Sequence, residues 1–466
     1  MRILLISANR ERSPYPVAPL GLAYIASVLK EDGHEVELLD LCFEEDGAEA
    51  ALNAAKSLQA ELIGISIRNV DNLTYPKSIF YYPRIKAVVE RLQSELPEPV
   101  VLGGSGFSLF PAETLRYMNA EFGVVGEGED AMRELVSSLC DKDTGRVSER
   151  FSERLSKIPN LIYNDEGCFK ETPRIFSETF FSVRPDRGLI SSKRYFDEGG
   201  MANLQTKRGC PFTCTYCTYP QLEGEKLRLR EPREIVDELE FIINEHGIDY
   251  VFFVDDIFNV PQSHAKDICE EIIRRGLLVK WTCFATPKEM SRELATLMKR
   301  AGCVGVEFGT DGGVDATMHA MGKGFTQADV ERAQGLCDEA GLEAAHYLIL
   351  GGPGETEQTL QGTYEFMERI KPRAVIVMLG VRIYPGTSLA ARAVREGIIK
   401  EGESLLEPKF YISKEVRESL IESVVAYARS RPNWIVPGLE LRSSEELSRT
   451  LRLMGHKGVL WDMLEK

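Results

Sequence analysis

The run Gly209-Cys210-Pro211-Phe212-Thr213-Cys214-Thr215-Tyr216-Cys217 puts three thiols within eight residues of chain. Thiolate sulfur is a soft donor, so such a set suits a soft metal or an iron–sulfur cluster, and a short loop can wrap one corner of a cube. Structural zinc closes its tetrahedron with a fourth Cys or His. None follows at finger or ribbon spacing, and the next histidine, His246, is far along the chain. A metal position left open by the protein points to catalysis. Cys42, Cys140, Cys168, Cys269, Cys283, Cys303 and Cys337 show no comparable spacing and read as buried thiols.

Carboxylates and glycines stand where apolar runs end. Asp255 and Asp256 close one run, Glu307 lies in another, and Gly351-Gly352-Pro353-Gly354 follows a third. Carboxylates there can accept hydrogen bonds from a ribose or an ammonium group, and glycines let backbone approach a ligand. Lys323 reads as a solvated lysine and His346 as a packed core histidine. Nearer the N-terminus, Gly103-Gly104-Ser105-Gly106 and Gly126-Glu127-Gly128-Glu129 end two further runs. A nicotinamide site would need Gly-x-Gly-x-x-Gly after the first strand, where Ser7-Ala8-Asn9-Arg10-Glu11-Arg12 stands instead, and no P-loop occurs.

These residues need a scaffold, and the hydrophobic pattern supplies one. The first 140 residues repeat an apolar run, a turn and a helical pattern, with strands expected at 3–7, 35–39, 62–67, 100–102 and 123–125. Leu22, Ile25 and Leu29 recur at helical spacing between the first two, and Gly33 occupies the C-cap position. The pattern predicts a doubly wound, Rossmann-like α/β domain over residues 1–140. Residues 141–200, charged, Ser-rich and Pro-containing, read as a linker. Six more strands are expected at 204–207, 250–254, 279–283, 304–308, 345–350 and 375–379, which fits a (β/α)6 partial TIM barrel over 201–400, working at the carboxyl ends of its strands. Residues 401–466 read as a small helical C-terminal segment.

The whole chain has 466 residues, 43% hydrophobic and 27% charged, the balance of a folded globular protein. Its 72 acidic residues against 56 basic ones give a net charge of −16, which argues against a nucleic-acid partner. No apolar run is long enough for a membrane-spanning segment or a signal peptide, so a cytoplasmic protein is expected.

Cys-x-x-x-Cys-x-aromatic-Cys directly after a barrel strand resembles the signature of the radical S-adenosylmethionine (SAM) superfamily. The segments 252–256, 305–309, 321–324, 350–356 and 384–387 resemble the branch that holds the methylthiotransferases and the cobalamin-dependent members. This implies that Cys210, Cys214 and Cys217 hold three irons of a [4Fe-4S] cluster whose free iron chelates SAM. One electron would then cleave SAM to methionine and a 5'-deoxyadenosyl radical. Tyr216, Asp255, Glu307, Gly351, Gly352 and Pro353 are expected around these groups, with Glu307 the favoured acidic contact to SAM.

Pro19-Leu20-Gly21-Leu22, Gly33-His34-Glu35-Val36 and the two glycine segments resemble the cobalamin-binding domain fused ahead of many radical SAM enzymes. The similarity spans most of residues 1–135. It implies corrinoid contacts at Leu20, Gly21, Gly103, Gly104, Gly106, Gly126, Glu127 and Gly128. The chain lacks the Asp-x-His-x-x-Gly motif of mutases and methionine synthase, so a corrinoid would bind with no protein imidazole on cobalt, and His34 reads as structural.

The resemblance implies an enzyme that abstracts hydrogen from an unactivated carbon, foremost for cobalamin-dependent C-methylation of a small-molecule or lipid-like substrate. An external one-electron reductant of flavodoxin or ferredoxin type would serve it. The alternative keeps the radical without methyl transfer, as dehydration, epimerisation, ring contraction or cyclisation, with a first domain that binds no cobalamin. A methylthiotransferase would need three further cluster cysteines in the first domain, where only Cys42 and Cys140 stand. A non-catalytic metal or corrinoid carrier is the reading from another class.

Overall fold

Ile3, Leu4, Leu5 and Ile6 are each no more than 1% exposed, as a strand covered on both faces requires. The computed structural model describes residues 1–140, 149–178, 183–439, 441–442 and 445–464. In it β1 (Arg2–Ser7) lies parallel to β2 (Glu35–Asp40) on one side and to β3 (Leu62–Ser66) on the other. β4 (Val100–Gly103) and β5 (Phe122–Val124) continue the parallel sheet. The order β2-β1-β3-β4-β5 reverses direction between β1 and β3. Open sheets of this kind bind ligands at that point, outside the carboxyl ends of the strands.

Two more strands, β6 (Leu161–Asp165) and β7 (Cys168–Glu171), add to β5 as an antiparallel hairpin. The stretch read as a linker thus widens the first sheet. Its turn uses Glu166 and Gly167, both at positive φ (52° and 89°), the backbone that a tight two-residue hairpin needs. Residues 141–148 and 179–182 of that stretch lie outside the described residues.

The second sheet contains β8 (Ala202–Leu204), β11 (Tyr250–Phe253), β12 (Lys280–Ala285), β13 (Cys303–Asp311), β14 (Glu343–Leu350), β15 (Ala374–Leu379) and β18 (Trp434–Ile435), all parallel. Its order, β18-β15-β14-β13-β12-β11-β8, follows the chain in one direction. Each strand therefore returns beside the last through an outside helix, the arrangement of a partial barrel. The first expected strand of this half is split. β8 ends at Leu204, and β9 (Lys207–Arg208) pairs instead with β10 (Arg228–Leu229) to make the stem of the cysteine loop. The C-terminal segment holds more than helices, since β17 (Phe410–Tyr411) pairs with β16 (Val381–Arg382) and β18 joins the barrel.

The halves share one core. Ile6, Ile65, Leu102 and Phe107 of the first pack in the same cluster as Met321, Val381, Ile383 and Leu389 of the second. Arg382 donates to Asp71 at 2.9 Å, and both side chains are buried. Among the described residues no helix is long and apolar enough to cross a membrane.

Candidate active site

The chain enters the cysteine loop under tight control. Asp255, 1% exposed at the end of β11, accepts the Thr206 amide at 2.6 Å and the Lys207 amide at 3.2 Å. Lys207 in turn donates from Nζ to the carbonyls of Phe258 and Val260 at 2.7 and 2.8 Å. Gly209 has φ +94°, and a side chain there would strike the Lys226 carbonyl at 2.2 Å, so the turn that aims Cys210 needs a glycine. Cys210 is buried, and Cys214 and Cys217 are half-buried. Burial, aided by the other thiols, pushes Cys217 up to about 12, and burial pushes Cys210 up to about 11. Three thiolates cannot coexist here uncompensated, so the donor set fits a cationic iron–sulfur centre that stabilises them. Among the described residues no three Cys, His, Asp or Glu side chains converge as ligands of a single ion would.

The aromatic residue of the loop is anchored as well. The Tyr216 hydroxyl donates to Asp311 Oδ2 at 2.5 Å, and Lys323 Nζ lies 2.8 Å from the same oxygen. Lys323 is not solvated: its side chain is 9% exposed, and burial raises the Cys214 thiol while the charge of Lys323 opposes that rise. His346 is fully buried between Thr310 Oγ1 at 2.7 Å and Gln334 Oε1 at 3.0 Å, a core histidine that burial keeps neutral.

A cavity of about 630 Å³ lies between the two halves. Leu20, Gly21, Gly103, Gly104, Gly106, Gly126 and Gly128 wall it on the first-domain side, and Tyr216, Cys217 and Tyr219 on the barrel side. Gly104 takes φ +95°, with the Ile67 carbonyl 2.7 Å from where a Cβ would sit, and a Cβ on Gly106 would lie 3.0 Å from the Arg68 carbonyl. These glycines draw the turn after β4 against the end of β3 and leave a backbone-lined cradle, which fits a bulky planar cofactor. None of the chain's six histidines lines it, so nothing there offers cobalt an imidazole. His34 instead faces the N-terminal ammonium at 3.2 Å.

Glu127 touches the cavity, but its carboxylate is engaged elsewhere. It accepts Arg228 on both oxygens, at 2.8 and 2.5 Å, and the Ser177 amide at 2.9 Å. Beside it Arg208 donates to Glu129 at 2.7 Å. Burial pushes the Glu129 carboxyl up, but the charge and hydrogen bond of Arg208 outweigh it and hold the group below its usual range. These pairs tie the glycine edge of the first domain to the stem of the cysteine loop. Asp256 and Glu223 also face the cavity, and both are pushed up, first by burial, Asp256 also by the charges of Glu223 and Asp255.

Five expected contacts are not brought to this cavity. Asp255 serves the loop entrance. Glu307, 1% exposed, accepts the Trp461 indole N–H at 3.0 Å, and burial pushes it up to about 6. Gly351 packs on Leu420, and Gly352 packs on Met321. Pro353 follows them outside the lining. Sequence reading passed over Arg68, Asn69 and Asp71, which line the cavity after β3. A polar run directly after an apolar strand, at the carboxyl edge of a sheet, was the available signal.

Residues 6–136 match the B12 binding domain family, and residues 204–367 match the radical SAM superfamily. The chain belongs to the radical SAM superfamily, in the subgroup with a B12-binding domain. This radical SAM protein is 26% identical over 453 residues to the tryptophan 2-C-methyltransferase of Streptomyces laurentii, covering 83% of this chain and 74% of the relative. It is 28% identical over 408 residues to an uncharacterised methyltransferase of Pyrococcus horikoshii, covering 86% and 84%. The radical SAM methyltransferase TsrM from Kitasatospora setae, solved with cobalamin and a [4Fe-4S] cluster bound, shares its fold: the TM-score is 0.86 at 23% identity, over 99% of this chain and 96% of that one.

Proposed function

We propose that this protein is a cobalamin-dependent radical SAM enzyme that C-methylates a small-molecule or lipid-like substrate. The observation that carries the reading is the single cavity on which both Cys217 with Tyr216 and the glycine edge of the first domain open. Methyl donor and radical source have to reach one carbon, and only a shared chamber permits that. The methyltransferase relatives support the same reading.

Cys210, Cys214 and Cys217 would hold the cluster, leaving one corner for SAM. Gly103, Gly104, Gly106, Gly126 and Gly128 would cradle the corrinoid, with Leu20 and Gly21 closing one side. When bound, the cluster supplies the electron that splits SAM into methionine and a 5'-deoxyadenosyl radical, and the corrinoid supplies the methyl group. The protein's part is positional. Asp255 and Gly209 fix the start of the cysteine loop, and the Glu127–Arg228 and Glu129–Arg208 pairs hold the two cofactor regions in register. Burial, with the charges of Glu223 and Asp255, pushes Asp256 up to about 9, so it presents a protonated carboxyl rather than charge to the chamber, and burial also raises Glu223. In this reading residues 1–140 serve the corrinoid and 201–400 the cluster and SAM. A cytoplasmic location and a flavodoxin- or ferredoxin-type reductant go with it.

The test is anaerobic turnover with supplied corrinoid and SAM deuterated in its methyl group. Deuterated methyl in the product, together with 5'-deoxyadenosine formation that disappears in Cys214→Ala, is expected. Radical formation with an unlabelled product would refute methylation, and absence of 5'-deoxyadenosine would refute radical chemistry.

A further inference from the structure

Asp311 and Lys323 have no part in the reaction as outlined, yet the protein spends a strained residue and a buried charge on them. β13 changes register between Gly309 and Asp311, and Asp311 adopts φ +63°. A non-glycine residue keeps such backbone only where its surroundings over-determine it. Here the carboxylate is turned to the cysteine loop, and one oxygen accepts both the Tyr216 hydroxyl and the Lys323 ammonium.

The segment carrying Lys323 also grips the backbone of the loop. The Thr215 amide donates to the Met321 carbonyl at 2.9 Å, and a Cβ on Gly322 would lie 2.8 Å from the Thr213 carbonyl. This close approach brings the Lys323 charge to bear on Cys214. Removing an ammonium from water is costly, and a methionine would pack as well. The position therefore has a use for positive charge.

We infer that Asp311 and Lys323 are positioning residues of the iron–sulfur centre: Asp311 fixes Tyr216 and aims Lys323, and Lys323 sets a cation against the Cys214 sulfur that stabilises the reduced state. The inference rests on the reading of the three cysteines as cluster ligands. Reduction adds one electron and so one negative charge to the centre. A buried cation beside a ligand sulfur, at low dielectric, favours that state and raises the potential.

Two measurements test it. In the cluster-free full chain, Asp311→Asn is expected to speed hydrogen exchange at the Thr215 and Cys217 amides by about tenfold, and unchanged exchange would overturn the positioning role. In the anaerobically reconstituted chain, the midpoint potential is followed by electron paramagnetic resonance. Lys323→Gln is expected to keep the wild-type iron content with a more negative potential, and Lys323→Arg to move the potential back. A wild-type potential in Lys323→Gln overturns the electronic role. Loss of iron in that variant does so too, because Lys323 would then be a packing residue. If the unaltered chain loads no iron, the ligand assignment is what fails, and hydrogen exchange alone decides the role of Asp311.

Discussion

Glu127→Gln keeps shape and removes charge at the junction between the two cofactor regions. In the folded protein Arg228 and Glu127 are 2% and 7% exposed at their side chains, and two nitrogens of Arg228 reach the two carboxylate oxygens. Arg208 pairs with Glu129 at 2.7 Å and also reaches Glu127 at 3.5 Å, so the substitution removes a negative charge from beside both arginines. Breaking a buried pair from one side costs about 3–5 kcal/mol, in keeping with two charge-assisted hydrogen bonds of about 1.5–3 kcal/mol each. For a folding unit of 150–250 residues that corresponds to a fall of roughly 6–20 °C in thermal midpoint. Calorimetry of the cluster-free chain measures it, with Arg228→Met and the double substitution completing a cycle. The two single effects are expected to be non-additive by about 0.5–3 kcal/mol. A loss below about 1 kcal/mol, as for exposed pairs, or strict additivity, would show that these residues do not hold the halves together.

Cys214→Ala is expected to abolish iron and acid-labile sulfide while leaving the thermal midpoint of the cluster-free chain close to wild type, since Cys214 is only half-buried. Gly104→Ala forces a Cβ against the Ile67 carbonyl at φ +95°. Strain of about 1–3 kcal/mol should weaken hydroxocobalamin binding by roughly 5–150-fold in equilibrium dialysis, with iron loading unchanged. Glu307, raised to about 6 by burial, stabilises the fold in its protonated form. That contribution is complete below the unfolded value near 4.5 and is lost as pH rises through 6, about 2 kcal/mol in all. Urea unfolding of the cluster-free chain at pH 4.5 and 7 should show this fall in wild type and not in Glu307→Gln, and parallel behaviour would refute the assignment.

Much of the fold was legible because parallel strands buried on both faces appear as unbroken apolar runs. The expected strands at 3–7, 35–39 and 62–67 match β1, β2 and β3 to within a residue at each end. The β6–β7 hairpin was hidden by its second strand, whose Cys168–Glu171 sequence is largely exposed and carries no apolar alternation. β18 is only two residues long, and its Trp434 is recognisable as core only once the barrel is present to bury it. The cysteine loop was legible from spacing alone. Glu307 and Asp255 were not assignable in detail, because whether a carboxylate at a strand end meets a ligand or its own chain depends on distant partners. Trp461 and Thr206 are 154 and 49 residues away in sequence. Lys323 was misjudged for the same reason: its burial comes from Asp311 and the loop, not from its neighbours in the chain.

The chamber between the halves draws walls from Leu5 at one extreme of the chain to Tyr384 towards the other. Such a vessel is a late product of folding. A ribosome that has released only the first domain leaves the glycine edge open to solvent with nothing opposite it. A large cofactor must then be captured before the barrel closes or be admitted afterwards through the mouth. In the first case, cofactor supply during synthesis and the speed of barrel closure compete to set how many finished molecules are loaded.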